Sequence, residues 1–428
     1  MRFVVAKSTL HGGVDIPGSK SHTIRAAAVA ALAEGESRIL RPLDSADAHA
    51  ARRAYRLFGA TIDEFPGEWR VSGIGGRPGI PENVIDVENS GTTMRIALGT
   101  AALLSGGMAV LTGDEQVRRR PCGPLAQALT SLGAKISATR GNGMPPFVVE
   151  GGLRGGEAAF EAVTSQYVTS LLMCCPLAEK DTVLHVPLLN EKPYVEMTLD
   201  WLARQGVSVQ YSDDLSEFRI PGCQRFNTVN RAIPADFSSA TFFLAAGAMP
   251  GNTVTCRGLD MTDTQGDKAV VEYLRAMGAQ VVVDGDSISV RAENLRGCEI
   301  DMNATPDALP MMAALACFAK GQTRLVNVPQ ARLKETDRIH VMRVELEKLG
   351  GKLTELPDGL VVEESPLRGG TVLGHSDHRV VMSLAVAATL ASGPVTIEGA
   401  EAVSVTYPEF AEDLRRLGGV ITVENETA

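Results

Sequence analysis

The length, composition and charge of the chain already exclude several classes of protein. Its 428 residues are more than one hydrophobic core usually serves, so we expect two domains. With 44% hydrophobic and 21% charged residues, the composition is that of an ordinary globular protein. The net charge of -10 argues against a nucleic-acid partner, which would require a basic surface.

Neither a membrane span nor a secretion signal is indicated by the sequence. The longest apolar run, residues 169–178, is shorter than the roughly 20 residues that a spanning helix needs. Residues 1–5 do not begin the apolar region of a signal peptide. We therefore expect a cytoplasmic protein without a membrane partner. The seven cysteines lack C-x-x-C spacing, which favours reduced thiols over a disulfide framework or a zinc site.

A repeat of roughly 72 residues organises the chain. In each copy an amphipathic helix ends at a glycine, which suits the left-handed position after a helix, and two strands follow. These helices are predicted over residues 51–59, 124–133, 195–206, 268–278, 339–350 and 410–418. The glycines that end them are Gly59, Gly133, Gly206, Gly278, Gly350 and Gly418.

A more apolar helix and a short strand precede each amphipathic helix. The apolar helices are hydrophobic nearly all round, as helices enclosed by other elements are. They are predicted to begin at Ser21, Gly91, Ser165, Ser238, Asp307 and Asp377. The short strands are predicted at residues 37–40, 108–111, 182–186, 252–255, 323–326 and 395–397.

Six modules divide naturally into three and three, which predicts an α/β protein of two domains. The least periodic joint near the middle of the chain is residues 227–234, and we interpret it as a crossover. Residues 7–17 precede the first module and could complete the last one. We therefore expect one domain of residues 1–18 plus 234–428, and an inserted domain of residues 19–233.

Polar and ionisable residues gather at the starts of the six apolar helices. A helix start has unpaired backbone N–H groups and a positive dipole end, so it favours anions. Ser, Thr and Asp there would serve as simple N-caps, but capping does not require basic residues. The basic residues in these first turns are Lys20, Arg25, Arg95, His378 and Arg379. With further basic residues at 118–120, 192 and 332–338, they predict a cleft that holds phosphate and carboxylate groups.

Three competing motifs do not fit. Ser19 separates Gly18 from Lys20, so the spacing of a nucleotide-binding P-loop fails. His375 and His378 have no other residues at ligand spacing, so no metal is predicted. The glycines at 73–76 lack the apolar helix that follows them in a dinucleotide site.

A series of short motifs runs in order along almost the whole chain. The motifs are Pro17-Gly18-Ser19-Lys20-Ser21, Asn89-Ser90-Gly91-Thr92-Thr93-Met94-Arg95, Arg120-Pro121, Ser165-Gln166-Tyr167, Lys192-Pro193-Tyr194, Pro306-Asp307-Ala308, Lys334-Glu335-Thr336-Asp337-Arg338 and Asp377-His378-Arg379. They resemble the motifs of the 5-enolpyruvylshikimate-3-phosphate synthase family, also called 3-phosphoshikimate 1-carboxyvinyltransferase. The sister family that acts on UDP-N-acetylglucosamine differs, because it carries Lys-Asn where Lys20-Ser21 stands and has a reactive loop cysteine to which Cys122 does not correspond.

The resemblance implies a two-domain, inside-out α/β barrel-like architecture of six βαβαββ modules. It also implies a monomer that needs no metal or organic cofactor and binds phosphoenolpyruvate and shikimate 3-phosphate. In the family the acceptor's 5-hydroxyl attacks C2 of phosphoenolpyruvate while C3 gains a proton. The tetrahedral adduct then expels phosphate. Such chemistry needs acid and base groups and dense positive charge.

The resemblance also implies roles for individual residues. Asp307 is expected at the 5-hydroxyl, and Glu335 with Lys20 at the enolpyruvyl carbon; with His378 they form the catalytic set, and which residue moves which proton stays open. The residues expected to bind phosphoenolpyruvate are Lys20, Gly91, Arg120, Gln166, Arg338, His378 and Arg379. The residues expected to bind shikimate 3-phosphate are Lys20, Ser21, Arg25, Thr164, Ser165, Gln166, Tyr194, Asp307, Gln330 and Lys334.

Several positions depart from the family pattern. Glu191 stands where many members have a Ser that contacts the acceptor phosphate; its carboxylate would repel a phosphate dianion unless a backbone shift turned it to solvent. Gln330 replaces an Asn, and Val405 replaces a Lys. Two alternatives therefore stay open: a paralogous transferase with another cyclic alcohol as acceptor, and a non-catalytic anion-binding scaffold. Gly91 predicts competition by glyphosate, which Ile96, in place of a frequent Pro, could weaken.

Overall fold

The computed structural model describes residues 1–425, and the chain divides into two compact units. The terminal unit comprises Met1–Pro17 and Pro234–Ala428, and the inserted unit comprises Gly18–Ile233. Each unit has a hydrophobic core of its own. The first crossing between the units lies one residue earlier than the boundary expected from the sequence.

The described residues form twelve α-helices of two alternating kinds. The odd-numbered helices are buried on nearly every side, whereas the even-numbered ones bury one face. Their bounds are α1 (Lys20–Leu32), α2 (Ala46–Leu57), α3 (Gly91–Ala102), α4 (Gly123–Ser131), α5 (Gln166–Cys174), α6 (Lys192–Arg204), α7 (Phe237–Ala248), α8 (Val270–Ala276), α9 (Leu309–Ala316), α10 (Arg338–Lys348), α11 (His378–Ala388) and α12 (Phe410–Arg416).

The same residues form 24 strands. Their bounds are β1 (Arg2–Ala6), β2 (His11–Asp15), β3 (Glu36–Leu40), β4 (Thr61–Phe65), β5 (Glu68–Ser72), β6 (Ile85–Asp86), β7 (Ala109–Thr112), β8 (Lys135–Ala138), β9 (Phe147–Gly151), β10 (Gly156–Ala159), β11 (Thr182–His185), β12 (Gln210–Tyr211), β13 (Glu217–Ile220), β14 (Asn230–Ala232), β15 (Thr253–Arg257), β16 (Gln280–Asp284), β17 (Ser287–Arg291), β18 (Glu299–Asp301), β19 (Gln322–Val326), β20 (Lys352–Leu356), β21 (Gly359–Glu363), β22 (Gly370–Leu373), β23 (Val395–Glu398) and β24 (Val420–Glu424).

The strands form six four-stranded sheets of one plan: a parallel pair followed by two antiparallel pairings. In the inserted unit the strand orders are β14-β3-β5-β4, β6-β7-β9-β8 and β10-β11-β13-β12. In the terminal unit they are β2-β15-β17-β16, β18-β19-β21-β20 and β22-β23-β1-β24. The predicted α/β fold class of six repeated βαβαββ modules is therefore confirmed.

The first seventeen residues complete two sheets rather than one. The prediction that residues 7–17 complete the last module is wrong, because β1 lies between β23 and β24 in the sixth sheet. The second strand, β2, instead pairs in parallel with β15 in the fourth sheet. The described part of the last module has only one strand after α12, so its sheet lacks one member that β1 supplies.

The observed ends of the amphipathic helices agree with their predicted positions more closely than the observed starts do. All six glycines that end the amphipathic helices adopt φ between 77° and 107°, as predicted. In contrast, α2 begins at Ala46, five residues before its predicted start, because Ser45 accepts a hydrogen bond from Ala48 N and caps the helix there. Near Asp307 a 3-10 turn over Pro306–Ala308 precedes α9.

The apolar helices form the centre of each unit. In the inserted unit α3 packs against α1 and α5, and in the terminal unit α7, α9 and α11 pack against one another. Their first residues carry the polar groups described next, so the packing of these helices places those groups. None of the helices in residues 1–425 has the length and apolar character needed to cross a membrane.

Candidate active site

In the terminal unit, one buried arginine binds three carboxylates. Arg338 is the first residue of α10 and only 1% exposed. It donates hydrogen bonds to Asp307 Oδ1 at 2.7 Å, to Glu335 Oε2 at 2.5 Å and to Asp377 Oδ2 at 2.8 Å. Burial lowers the pKa of Arg338, but these carboxylates outweigh it and hold the pKa above its ordinary value. We call these four residues the Arg338 cluster.

Asp307 also contacts two further cations. Its Oδ2 lies 3.2 Å from Arg379 Nη2, and its Oδ1 lies 3.8 Å from Lys334 Nζ. Its own position is set by the 3-10 turn over Pro306–Ala308, where the structure places it at the start of the apolar helix. This carboxylate is therefore fixed among three positive charges that come from two parts of the chain, residues 334–338 and the start of α11.

Asp377 links the Arg338 cluster to the start of α11. Its Oδ1 accepts a hydrogen bond from Arg379 N at 2.9 Å and so caps the helix. The capping places His378 and Arg379 in the first turn, where both side chains are buried. Dipole and cationic side chains then favour an anion at the same helix end.

In the inserted unit, Arg25 on α1 is as buried as Arg338, yet its partners are neutral. The guanidinium donates to Thr198 Oγ1 at 3.0 Å, to Thr169 Oγ1 at 3.2 Å and to Tyr194 O at 3.0 Å. Burial lowers the pKa of Arg25 to about 10. A buried cation is costly without a counter-charge, so an anionic ligand near Arg25 would be strongly stabilised.

Lys20 lies at the first position of α1 and is held by an acid of α2. Its Nζ lies 3.2 Å from Asp47 Oδ2, and both side chains are largely buried. The next residue, Ser21, accepts a hydrogen bond from Arg25 through its backbone oxygen. Lys20, Ser21 and Arg25 are thus adjacent at one helix start, as the motif predicted.

The starts of α3 and α5 lie side by side. Gln166 Nε2 donates to Thr92 Oγ1 at 3.1 Å, which joins the two helix starts. At Gly91 an added Cβ would lie 2.4 Å from Arg120 Nη1, so the arginine head group packs directly against the glycine. The structure therefore brings together Gly91, Arg120 and Gln166, three of the predicted phosphoenolpyruvate ligands.

A second layer supports this group. Arg95 and Tyr167 both donate hydrogen bonds to Pro121 O, at 3.1 and 2.7 Å. The Arg95 guanidinium also lies 5.9 Å from the centre of the Tyr167 ring, within reach of a cation–π interaction. Burial raises the pKa of Tyr167 to about 12, which keeps this phenol a hydrogen-bond donor. These contacts hold the segment that carries Arg120.

Glu191 does not turn to solvent, which was one of the two possibilities that the sequence left open. The side chain is 1% exposed, and the residue adopts left-handed backbone angles with φ of 59°. Its Oε2 accepts from Thr164 Oγ1 at 3.0 Å, Ser165 N at 3.1 Å and Ser165 Oγ at 2.8 Å. The chain's own carboxylate therefore occupies the start of α5, and its negative charge suits the helix dipole.

Gln330 is buried and lies a few residues before Arg338 in the sequence. Of the two polar atoms in its side-chain amide, only the nitrogen makes a hydrogen bond to the part of the chain that the structure describes. Its Nε2 donates to Asn303 O at 2.9 Å. Within the described residues, its Oε1 is buried without a hydrogen-bond partner. A ligand hydroxyl or amine that donated to this oxygen would remove the cost of burying it.

Two carboxylates of the site received no role from the sequence. Asp47 holds Lys20, and Asp377 holds Arg338. For Asp377 the sequence predicted the helix start, where an Asp is a frequent N-cap, but not the contact with Arg338. Asp47 gave no such signal, since its contact with Lys20 joins different helices. Residues 1–425 contain no group of three or more His, Cys, Asp and Glu residues that could hold a metal ion.

The fold and these side chains together define a class of protein. Six βαβαββ modules place Lys and Arg at helix starts, beside buried carboxylates. Such an arrangement fits an enzyme that binds several anionic groups and moves protons near them.

Comparisons with known proteins identify the family. The EPSP synthase (3-phosphoshikimate 1-carboxyvinyltransferase) family profile matches residues 4–414. A 3-phosphoshikimate 1-carboxyvinyltransferase of Ruminiclostridium cellulolyticum is 51% identical over 421 residues, which cover 98% of this chain and 99% of the relative. One from Methanocella arvoryzae is 43% identical and covers 98% and 99%.

A solved structure agrees with these relatives. The EPSP synthase of Acinetobacter baumannii superimposes with a TM-score of 0.83 at 29% identity, covering 99% of this chain and 100% of that one. The chain belongs to the EPSP synthase family, and the resemblance read from its motifs is confirmed.

Proposed function

We propose that the chain transfers the enolpyruvyl group of phosphoenolpyruvate to the 5-hydroxyl of shikimate 3-phosphate and releases inorganic phosphate. Family membership over nearly the whole chain carries this proposal. In the first step, the 5-hydroxyl oxygen bonds to C2 as C3 gains a proton and the hydroxyl loses one. In the second, C3 loses a proton while the bond from C2 to the phosphate oxygen breaks.

The inserted unit is proposed to bind the acceptor. Ser21, Arg25, Thr164, Ser165 and Tyr194 would contact shikimate 3-phosphate. The neutral surroundings of the buried Arg25 support this assignment, because a phosphate group would supply the missing counter-charge.

Phosphoenolpyruvate is proposed to contact Lys20, Gly91, Arg120 and Gln166 of the inserted unit. The direct packing of Arg120 against Gly91 supports the assignment, since a side chain at position 91 would displace that guanidinium.

In the terminal unit, His378, Arg379 and Arg338 are proposed to bind phosphoenolpyruvate and the departing phosphate. Arg338 already binds three carboxylates, so we propose that it stabilises the anionic substrate through its fixed positive charge rather than through a two-bond contact of its own. Asp307, Gln330 and Lys334 would contact the acceptor.

Proton transfer is assigned to residues held by these cations. Asp307 would take the proton of the 5-hydroxyl, while Glu335 and Lys20 would transfer protons to and from C3. His378, directly before Arg379 in the sequence, completes the proposed catalytic set. Arg338 donates to both Asp307 and Glu335, which supports the pairing because it fixes the two carboxylates relative to each other.

One observation favours a second candidate function. Glu191 occupies the donors at the start of α5, and these would otherwise be available to an acceptor phosphate. A related transferase whose cyclic alcohol bears no phosphate at this point would not compete with that carboxylate. Full-length similarity to relatives named for 3-phosphoshikimate makes this alternative the less favoured one.

A phosphate-release assay tests the proposal. Purified protein is mixed with phosphoenolpyruvate and shikimate 3-phosphate, and inorganic phosphate is followed over time. Acceptor-dependent release supports the proposal. Release only with unphosphorylated shikimate or another cyclic alcohol supports the related transferase, and silence with all acceptors supports a binding scaffold. The cytoplasmic location and the monomeric state stay predictions.

A further inference from the structure

Helix α10 carries two buried charged residues on one face. Arg338 and Glu345 are seven residues apart, about two helical turns, so their side chains lie above one another. Arg338 reaches Asp377, as described above. Glu345 reaches the chain just before Asp377, at the end of β22 and the turn that follows it.

Three hydrogen-bond donors surround the Glu345 carboxylate, whose side chain has no exposed surface. Its Oε2 accepts from Leu373 N at 3.0 Å, and its Oε1 lies 2.7 Å from His375 Nε2. Lys348 Nζ donates to the same group at 2.8 Å from the partly exposed side. A buried carboxylate is tolerated when it is paired and hydrogen-bonded in this way.

The segment that Glu345 holds has a strained backbone. His375 and Ser376 are consecutive non-glycine residues with φ of 51° and 54°. Left-handed angles at such residues persist only where the surroundings enforce them. Gly374, directly before them, is closely packed, because an added Cβ there would lie 2.4 Å from Val381 Cγ2 of α11. Asp377 follows immediately and caps α11.

We propose that Glu345 is a positioning residue for the reaction. It anchors Leu373 and His375 at one end of α10, while Arg338 anchors Asp377 at the other. The two anchors hold the left-handed turn between them, and so fix His378 and Arg379 at the start of α11. What those two residues bind rests on the proposed function.

Kinetics of Glu345→Gln test this role. The substitution keeps the side-chain shape but removes the charge that His375 and Lys348 contact. The contacts that hold the turn in its left-handed conformation are therefore weakened. We expect the KM for phosphoenolpyruvate to rise about tenfold, while the KM for shikimate 3-phosphate changes by less than about twofold. Glu347→Gln is the matched control, because Glu347 lies on the same helix with an exposed side chain paired to Arg343.

A second readout does not depend on activity. The ring resonances of His378 in the ligand-free protein, assigned by loss in His378→Asn, should shift in Glu345→Gln and stay in place in Glu347→Gln. If wild-type protein has no activity with the two substrates, the proposed function fails, yet these resonances still decide whether Glu345 positions His378.

Unchanged His378 resonances and an unchanged KM for phosphoenolpyruvate, together with a lower Tm, would overturn the inference and leave Glu345 a structural residue. If Glu345→Gln does not fold, His375→Ala takes its place, since it removes one partner of the carboxylate and keeps the charge of Glu345. In that variant we expect the KM for phosphoenolpyruvate to rise about threefold. No rise would contradict the proposal equally.

Discussion

The positive charges of two buried arginines, Arg338 and Arg25, lie in different surroundings. Arg338 binds three carboxylates, whereas the hydrogen-bond partners of Arg25 are hydroxyl and carbonyl oxygens. Removing one partner of a buried ion pair is costly because the other charge is left behind. Arg338 is therefore expected to matter for stability as well as activity, and Arg25 chiefly for the affinity of an anionic ligand.

The contact between Gly91 and Arg120 gives a prediction about phosphoenolpyruvate. In Gly91→Ala the new methyl group would displace the Arg120 guanidinium, so we expect the KM for phosphoenolpyruvate to rise about tenfold. Steady-state kinetics with each substrate varied would measure this. Gly106→Ala is the control, because a Cβ at Gly106 meets nothing within 4 Å.

The same site predicts inhibition by glyphosate in competition with phosphoenolpyruvate. Turnover of the wild-type protein that is undiminished at millimolar glyphosate would refute this expectation. In Gly91→Ala the competition should weaken, because the same methyl group intrudes on the same contact.

The acids beside Arg338 are predicted to be essential for turnover. Asp307→Asn and Glu335→Gln remove one charge each and keep the side-chain shape, so we expect kcat to fall by about two to four orders of magnitude. Circular dichroism should show that both variants stay folded. Asp286→Asn, in an exposed turn, is the control. Near-normal kcat in either site variant would exclude that residue from proton transfer.

Glu191 predicts how the acceptor site responds to charge. In Glu191→Gln the amide oxygen still accepts from Ser165 N, but the negative charge at the start of α5, where we propose that the acceptor phosphate binds, is gone. We expect the KM for shikimate 3-phosphate to fall about three- to tenfold while the KM for phosphoenolpyruvate is unchanged. A higher KM for shikimate 3-phosphate would mean that Glu191 assists the acceptor rather than competing with it.

At the scale of elements, the glycine that ends each amphipathic helix has a measurable cost of replacement. Gly59 follows α2 with φ of 102°, and Ala60 N donates to Tyr55 O at 3.2 Å, a hydrogen bond that closes the helix end. In Gly59→Ala the left-handed angle costs about 1 kcal/mol, although the nearest atom to the new Cβ lies 3.8 Å away. Chemical denaturation followed by circular dichroism would measure the loss, with Gly106→Ala again expected to be near neutral.

The elements also show what a sequence can and cannot predict. Local signals located the starts of three apolar helices, since Ser19, Ser90 and Asp377 cap them within one or two residues of the expected positions. Pairing between distant segments left no local signal, which is why residues 7–17, which contain β2, were assigned to the wrong sheet. The burial of Glu191 was not predicted for the same reason, because its hydrogen-bond partners Thr164 and Ser165 lie 27 and 26 residues before it in the sequence.

On the scale of the whole molecule, the two cores predict separate folding units. Every strand of the three sheets in the inserted unit, including β14, comes from residues 18–233. We expect this segment, expressed alone, to unfold in one cooperative thermal transition. Residues 234–428 alone should not fold, because they lack β1 and β2.

A joined variant is the control for that prediction. Asp236 N donates to Pro17 O at 2.9 Å, so the two ends of the terminal unit's pieces are adjacent. Connecting Pro17 to Pro234 by a short flexible linker should restore a folded terminal unit. Folding of residues 234–428 without the first seventeen residues would contradict the importance given to β1 and β2.

The place of β1 between β23 and β24 has a consequence for biosynthesis. A ribosome makes Phe3 and Val5 long before it makes β23 and β24, the strands that pair with them. The modules between β1 and β23 are complete while both partners of β1 are still missing. We therefore expect these modules to fold before β1 joins its sheet. During translation β1 therefore lacks both of its hydrogen-bonding neighbours until β23 and β24 have been made, and the sixth sheet closes only after that point.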